Sequence, residues 1–313
     1  MSNANSEILW RKIYKHCSLR VFKRGIMGEH NGKVIGVISI KGGVGKTTTV
    51  SNLGAAFAAE FGQKVLLVDA NYSAPNLGLH LGIVEPDHSI HDVLNDKVPV
   101  QEAIIHHQFG FDVLAASLTQ NHVKPFKLKS KLDPLKSEYD VILIDSSPNL
   151  NEEVLSTMIA SDMLLVVSSP DYPTLSCTMH AVKVAKARKT PIAGLILNKT
   201  RNKKFELTTE EIEDATGTPV LAVVPDDVKI LEALSQTTPA SIYAPLQEAC
   251  VQYKHLAACL IGTNYNDPRL LTKVKSLIWR NKTRDEVNRL LFKEGKLSGA
   301  ELESGSVEKV GQK

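Results

Sequence analysis

The residues with the clearest chemical capacity form one short run, Lys-Gly-Gly-Val-Gly-Lys-Thr-Thr-Thr at positions 41 to 49. Its three glycines lack the Cβ atoms that would stop backbone N–H groups from pointing inward around a phosphate chain. Lys46 would then supply positive charge to the β- and γ-phosphates, and Thr47 a hydroxyl for Mg²⁺. The predicted nucleotide ligands in this loop are Gly42, Gly43, Val44, Gly45, Lys46, Thr47 and Thr48.

The flanking sequence supplies the elements that such a loop requires. The apolar run from Val34 to Ile40 predicts a buried strand, and the Ala-rich stretch from residue 48 to 61 predicts a helix. Two further apolar runs end in an acid, at Asp69 and at Asp145. Because ligands bind at the carboxyl ends of parallel strands, we expect both acids to lie at the same edge as the loop.

The wider pattern indicates an α/β fold. Apolar runs predict strands near 34–40, 65–69, 111–115, 140–145, 163–168, 192–198 and 220–224. Helical segments alternate with most of these strands, which favours a mostly parallel sheet covered on both faces. The prediction is a three-layer, doubly wound sheet of P-loop NTPase type with helical N- and C-terminal extensions.

The loop resembles the deviant Walker A motif of the MinD/ParA family of P-loop ATPases, and the resemblance covers about residues 33 to 262. Lys41 matches the family's extra lysine, which reaches across a two-fold interface toward the partner's nucleotide. The resemblance implies an ATP hydrolase that uses ATP and Mg²⁺ and forms a homodimer in the ATP state. The stretch from Asn76 to Gly82 looks more like MinD than ParA, whose chains usually carry Pro-Gln shortly after the second acid.

The resemblance also implies roles for single residues. Asp69 and Asp145 would organise Mg²⁺ and its waters together with Thr47, and residues 146 to 150 would be the adjoining switch. Asn198 would contact adenine. The Pro225-Asp226 segment would close over the base.

Two departures from the family pattern bear on mechanism. The family reads Asp-x-Asp after the second strand, whereas this chain reads Asp69-Ala70-Asn71. Because the missing acid is associated with positioning the attacking water, we expect intact binding and slow hydrolysis, with the Asn71 amide still able to orient water. The Asp145-Ser-Ser-Pro148 stretch is one residue longer before proline than the family's Asp-x-Pro, which predicts a slightly different switch.

Composition fits an ordinary globular chain of 313 residues, with 43% hydrophobic and 23% charged residues. We predict a cytoplasmic protein, because apolar runs fall short of the roughly 18 residues that a membrane span needs and a secretory signal pattern is lacking. The four cysteines are scattered, which favours a reducing compartment and argues against an iron–sulfur or other metal cluster. Five of ten histidines fall between His80 and His107, and we expect these as surface residues on helices near 90 to 107.

Charge is distributed unevenly along the chain. Residues 1–30 hold six Lys/Arg against two acids, residues 31–262 hold 20 against 25, and residues 263–313 hold 11 against seven, which gives +4, −5 and +4. Basic ends on an acidic centre predict that the ends meet an anionic partner. The inner face of the cell membrane is the favoured partner, and DNA is the alternative.

The N-terminal extension, residues 1–32, carries an apolar stripe flanked by basic residues, which predicts a basic amphipathic helix lying on a membrane. Packing of this stripe on the ATPase core or its dimer mate fits the pattern equally well. The stripe consists of Trp10, Ile13, Tyr14, Cys17 and Val21.

The C-terminal segment, residues 263–296, carries a second apolar stripe between positions 270 and 278. Thr283 and Glu286 then form a capping-box pattern that predicts another short helix, ending near Gly295. By the resemblance to MinD, such helices target membranes, but docking on a partner or nucleic acid, or packing on the core, also fits. Residues 297–313 are rich in Gly, Ser, Glu and Lys, and we expect them to be disordered.

The sequence thus favours a MinD-like ATPase that positions cell contents, such as the division site, on a membrane. Two other functions stay open: a ParA-like ATPase that partitions DNA, and a nucleotide-gated scaffold for a protein partner. The sequence does not identify the cargo or the activating protein.

Overall fold

The protein is described here by a computed structural model covering residues 31–120, 123–269 and 283–296. The predicted N-terminal stripe, the stripe at 270–278 and the tail at 297–313 lie outside these residues. Among the described residues, no helix is both long and apolar enough to cross a membrane.

The described residues form one eight-stranded sheet. Its strands are β1 (Lys33–Ile38), β2 (Val65–Ala70), β3 (Ile105–His106), β4 (Asp112–Leu114), β5 (Val141–Ser146), β6 (Met163–Ser168), β7 (Ile192–Thr200) and β8 (Val220–Pro225). The strand order is β3-β4-β2-β5-β1-β6-β7-β8, and all neighbours pair in parallel except β3 and β4. The predicted mostly parallel, doubly wound sheet is confirmed.

Helices connect the strands and cover both faces of the sheet. The α-helices are α1 (Lys46–Phe61), α2 (Leu77–His80), α3 (Ile90–Leu94), α4 (Leu128–Leu132), α5 (Glu152–Ala160), α6 (Tyr172–Ala187), α7 (Thr209–Thr216), α8 (Val228–Ser235), α9 (Ala240–Tyr243), α10 (Glu248–Leu260) and α11 (Arg284–Lys293). Short 3-10 helices lie at Val100–Ala103, Pro125–Lys127 and Asp133–Ser137.

The central strands are buried because helices pack on each side of them. Every residue of β2 and β5 is buried, as expected for parallel strands between two helical layers. On one face, Phe57 of α1 and Tyr253 of α10 pack with Leu67 of β2. On the other face, Leu132 of α4 and Met158 of α5 belong to two further apolar clusters.

The region between residues 90 and 107 differs from the prediction. It holds only the short helix α3, a 3-10 turn and strand β3, which pairs antiparallel with β4. The prediction that its histidines lie on the surface is wrong for His91, which is fully buried. Its Nε2 lies 3.2 Å from the carbonyl of Tyr72 and its Nδ1 accepts from the N–H of Ser117, so both ring nitrogens have partners.

The helix predicted from Thr283 is confirmed as α11, which begins with the Thr283–Glu286 capping box. It packs against β8, the last strand of the sheet, through a face that combines buried polar side chains with Phe292. Asn288 Nδ2 donates to the Val220 carbonyl and Arg289 Nη1 to the Leu221 carbonyl, both at 2.8 Å. These side chains satisfy backbone acceptors that a neighbouring strand would otherwise occupy.

Candidate functional site: a phosphate-binding loop at the carboxyl ends of the strands

The glycines of the loop after β1 adopt the backbone geometry that a phosphate cradle needs. Gly43 and Gly45 have positive φ angles of 76° and 97°, a region that other residues rarely adopt. A Cβ atom on Gly45 would lie 2.2 Å from Asn198 Nδ2, so a larger residue would be forced against the end of β7. Gly45 is also the N-cap of α1, which directs the positive end of the helix dipole at the loop.

A pocket of 340 Å³ opens over this loop. The predicted nucleotide ligands Gly42, Gly43, Gly45 and residues 46 to 48 line it. Val44, also a predicted ligand, does not line the pocket, because its side chain is buried in the core. Lys46, the first residue of α1, is only 7% exposed, and burial lowers the pKa of its ammonium group while the nearby charge of Asp145 opposes that shift.

Thr47 and Asp145 form the part of the site suited to a hard cation. The Thr47 hydroxyl donates to Asp145 Oδ2 at 2.6 Å, whereas Asp145 Oδ1 is buried and has no hydrogen-bond partner among the described residues. Burial raises the pKa of Asp145 to about 6. An unpartnered carboxylate oxygen beside a hydroxyl and a phosphate loop fits Mg²⁺, which prefers oxygen ligands and keeps substrate phosphates and water in its shell.

Asp69 lies beside Asp145 on the neighbouring strand, since the two residues pair in the register of β2 and β5. Its carboxylate is fully buried and accepts three backbone N–H groups, from Asn71, Asn76 and Leu77, at 3.1, 3.2 and 3.0 Å. Burial and the charge of Asp145 raise the pKa of Asp69 to about 8, against the effect of the three donors. Both oxygens therefore hold the loop after β2, and the predicted contact with Mg²⁺ or its waters stays a prediction.

Asn71, the residue in place of the family's second acid, lines the pocket. Its Nδ2 donates to the Ala74 carbonyl, which fixes the amide plane. Its Oδ1 is buried and has no hydrogen-bond partner within the described part of the chain. The side chain thus keeps one uncharged acceptor without a partner beside the pocket.

Lys41 points away from the pocket, toward the start of α6. Its Nζ donates to Thr174 Oγ1 at 2.6 Å and to Asp171 Oδ1 at 3.2 Å. Asp171 is the N-cap of α6, and its pKa is lowered to about 2 by hydrogen bonds from Ser169, Thr174 and Lys41 that outweigh burial. The side chains of Lys41 and Asp171 are 37% and 43% exposed, so the pair lies at the surface.

The opposite end of the pocket is built from the ends of β7 and β8. Asn198, Pro225 and Asp226, which are predicted to lie at the base, line this end. Asn198 Nδ2 donates to the Val44 carbonyl at 2.8 Å, so this amide holds the phosphate loop, and its predicted contact with adenine stays a prediction. Asp226 accepts from Arg201 Nε at 2.8 Å.

Comparison with known proteins decides the family. A family model described as "AAA domain" matches residues 32–191. An ATP-binding protein of Methanocaldococcus jannaschii is 32% identical over 78% of this chain and 93% of its own length. The chromosome partitioning protein ParA of Caulobacter vibrioides is 30% identical over 67% of this chain and 87% of its own length. The solved structure of the Pyrococcus furiosus cell division ATPase MinD superposes with a TM-score of 0.69, at 35% identity over 72% of this chain and 97% of its own. This chain belongs to the MinD/ParA family of ATPases.

Within this MinD/ParA chain, the structure brings six of the seven predicted nucleotide ligands into one pocket, and Asp145 adjoins them through Thr47. Asp69 instead accepts hydrogen bonds from the loop after β2, and Lys41 donates to Thr174 at the start of α6. The sequence predicts where these residues lie along the chain. It does not predict which of their polar atoms form hydrogen bonds within the protein.

Sequence reasoning missed several residues of the MinD/ParA pocket. Lys199, which has a positive φ of 58°, donates from Nζ to the Gly43 carbonyl at 2.8 Å. His80 of α2 lines the pocket, and burial lowers the pKa of its imidazole. Ile230, Leu231 and Leu234 of α8 form an apolar wall, for which the stripe of apolar residues after Asp227 was an available signal.

Proposed function

We propose that this MinD/ParA ATPase binds ATP with Mg²⁺ and forms a homodimer in the ATP state. It would act as a spatial switch that associates with the inner face of the cell membrane and returns to the cytoplasm after hydrolysis. The ATPase domain would span residues 33–262, with residues 1–32 and 263–296 as basic helical extensions.

The observation that carries the proposal is the direction of Lys41. A lysine in a phosphate loop ordinarily serves its own nucleotide, as Lys46 is placed to do. Lys41 instead extends to the surface, where Asp171 and Thr174 hold it. A surface-exposed ion pair of this kind contributes only about 0–1 kcal/mol. The phosphates of a nucleotide bound to the second subunit could therefore replace Asp171 as the partner of Lys41 at little cost.

Hydrolysis would be slow but retained. Phosphoryl transfer through a loose transition state depends on orientation and charge stabilisation more than on a strong base. The unpartnered Oδ1 of Asn71 could accept a hydrogen bond from the attacking water, as the glutamine amide does in some GTPases. A low rate would lengthen the time spent in the dimeric state.

Membrane association would follow from dimerisation without any new type of contact. Each basic residue near an anionic surface contributes about 1 kcal/mol, so one helix gives a monomer only modest affinity. Two helices on a dimer raise avidity by roughly 10²- to 10⁴-fold through effective concentration. Solved MinD proteins are named for cell division, and one of them was solved as a complex with MinC, which supports a positional role and a protein partner.

The test measures molar mass by light scattering, and co-sedimentation with anionic liposomes, in ATP and in ADP at physiological salt. We expect ATP to double the mass and to increase the pelleted fraction. Lys41→Ala should keep ATP binding yet lose both responses, while Lys183→Ala, which removes an exposed lysine from α6, should behave as the parent protein. Unchanged dimerisation of Lys41→Ala would contradict the role in the partner's site.

Partition of DNA is the second candidate, and the similarity to a ParA protein favours it. It predicts binding that is independent of sequence and falls steeply with salt. ATP-dependent dimers that pellet with DNA, but not with liposomes, would support this function over the membrane switch.

A further inference from the structure

A groove of 430 Å³ lies at the amino ends of β1, β5 and β6, the end of the sheet opposite the phosphate loop. Its floor is formed by Ile35, Phe57 and Val141, which belong to the main apolar core. Partly exposed apolar side chains form its walls. These are Met163, Leu260 and Ile261.

The described chain begins inside this groove. Asn31 and Gly32 line it, and the N–H groups of Gly32 and Lys33 donate to the carbonyls of Lys136 and Asp140 at 2.6 and 2.9 Å. A Cβ atom on Gly32 would lie 1.7 Å from the Tyr139 carbonyl oxygen, so only glycine allows the chain to approach this wall so closely. The preceding 30 residues therefore leave the described part of the protein at the groove itself.

We propose that the groove is the docking site of the chain's own N-terminal segment, with the apolar stripe of residues 10–21 packed on its floor. This stripe consists of Trp10, Ile13, Tyr14, Cys17 and Val21, apolar side chains that include two aromatic rings of the kind that fill such a groove. The inference does not depend on the proposed membrane switch.

The lengths are compatible with this occupant. As a helix, residues 10–21 would measure about 18 Å. Residues 22–30 could span up to about 30 Å when extended, enough for the stripe to fold back onto the groove that the chain enters. A short tether of this kind gives an effective concentration in the millimolar range, so a weak apolar contact is sufficient for docking.

Charge distinguishes this docking from binding to lipid. The rim of the groove carries exposed Lys33 and Lys64 as well as exposed Glu138 and Asp140, so it has no strong sign to attract a basic segment. Apolar burial would drive the contact, and salt would weaken it little. Binding of the same segment to anionic lipid would weaken strongly with salt.

Docking and the proposed membrane binding would compete for the same stripe, and only this consequence rests on the proposed function. When it is docked, its apolar side chains are covered and cannot enter a bilayer. A substitution that closes or charges the groove would then increase membrane binding of the N-terminal segment without any change in the nucleotide site.

The first test uses the native thiol of the stripe. Ile261→Cys in the full chain places a thiol in the groove wall, and mild oxidation should join it to Cys17 within one chain, with a yield that does not depend on protein concentration. Matched controls are Cys17→Ser in the same background, which should remove the product, and Phe126→Cys, which places an exposed thiol outside the groove. A yield no higher than that of Phe126→Cys, or a bond only between two chains, would overturn the proposal.

The second test follows Trp10 in a Trp279→Phe chain, where it is the remaining tryptophan. Without lipid, its emission should be shifted to the blue and protected from acrylamide at low and high salt alike. Adding Ile261→Lys should abolish both effects, with a thermal melt to verify the fold. Solvent-exposed emission that shifts only when anionic vesicles are added would overturn docking and favour the membrane as the occupant.

Discussion

Asp69 and Asp145 occupy equivalent positions on neighbouring strands, yet the protein uses them differently. Both are fully buried, and they lie side by side in the register of β2 and β5. The oxygens of Asp69 accept three backbone N–H groups, whereas Asp145 has one oxygen on the Thr47 hydroxyl and one without a partner among the described residues. An acid at the end of a buried strand can therefore hold a loop or bind a ligand. Which role it has depends on whether a carboxylate oxygen is left without a hydrogen-bond partner in the protein.

Asp145→Asn should have the largest effect on activity. Removing this charge from the cation site should lower the ATPase rate by roughly 10²- to 10³-fold and abolish the Mg²⁺ dependence of nucleotide binding. Steady-state turnover and nucleotide titrations with and without Mg²⁺ measure both effects. If nucleotide binding still depends on Mg²⁺ in Asp145→Asn but not in Asp69→Asn, the assignment of the cation site to Asp145 is wrong.

Asp69→Asn should instead lower stability. Its amide nitrogen cannot accept a hydrogen bond, so at least one backbone donor in the loop after β2 would lose its acceptor, at a cost of about 2 kcal/mol. Urea unfolding without nucleotide measures this cost, and Asp145→Asn is the matched control that should lose much less. Equal losses in the two variants would show that both acids are structural.

Asn71→Asp sharpens the contrast, because residue 71 lies on the loop that Asp69 holds. A carboxylate at this position should orient water more strongly and raise ATP turnover by about tenfold. Single-turnover hydrolysis measures the chemical step apart from product release. An unchanged rate would mean that another group positions the water.

The smallest expected effect is that of pH on Mg²⁺ binding. Burial raises the pKa of Asp145 to about 6, and a carboxylate must lose its proton to bind the cation. As the pH falls to that pKa, half of the carboxylates become protonated and the apparent Mg²⁺ affinity should drop by about twofold, falling further at lower pH. Mg²⁺ titrations across this range test the shift, and a constant affinity down to pH values near 4 would refute it.

The sequence predicted most of the sheet and the position of the phosphate loop. All seven predicted strands are present, because long Val/Ile/Leu runs between two helical layers carry a strong local signal. The two-residue strand β3 was missed, since it exists only through its pairing with β4. His91 was misplaced on the surface because its burial depends on Tyr72 and Ser117, both distant in sequence.

The orientation of α11 shows a different limit. Val287 and Leu290 are 39% and 38% exposed, whereas Asp285, Asn288 and Arg289 are buried on the same face as Phe292. An amphipathic pattern alone predicts that Val287 and Leu290 are buried as well. The edge carbonyls of β8 favour polar side chains on this face, because apolar side chains cannot donate hydrogen bonds to them.

The polar face of α11 also has a consequence for how copies of this protein behave in concentrated solution. A long strand with open hydrogen-bonding groups at the rim of a sheet is a template for strands of other molecules, and proteins avoid aggregation by covering it. Asn288 and Arg289 provide that cover for β8. A chain truncated before residue 283 should therefore precipitate or form irregular oligomers at concentrations where the full chain remains dispersed.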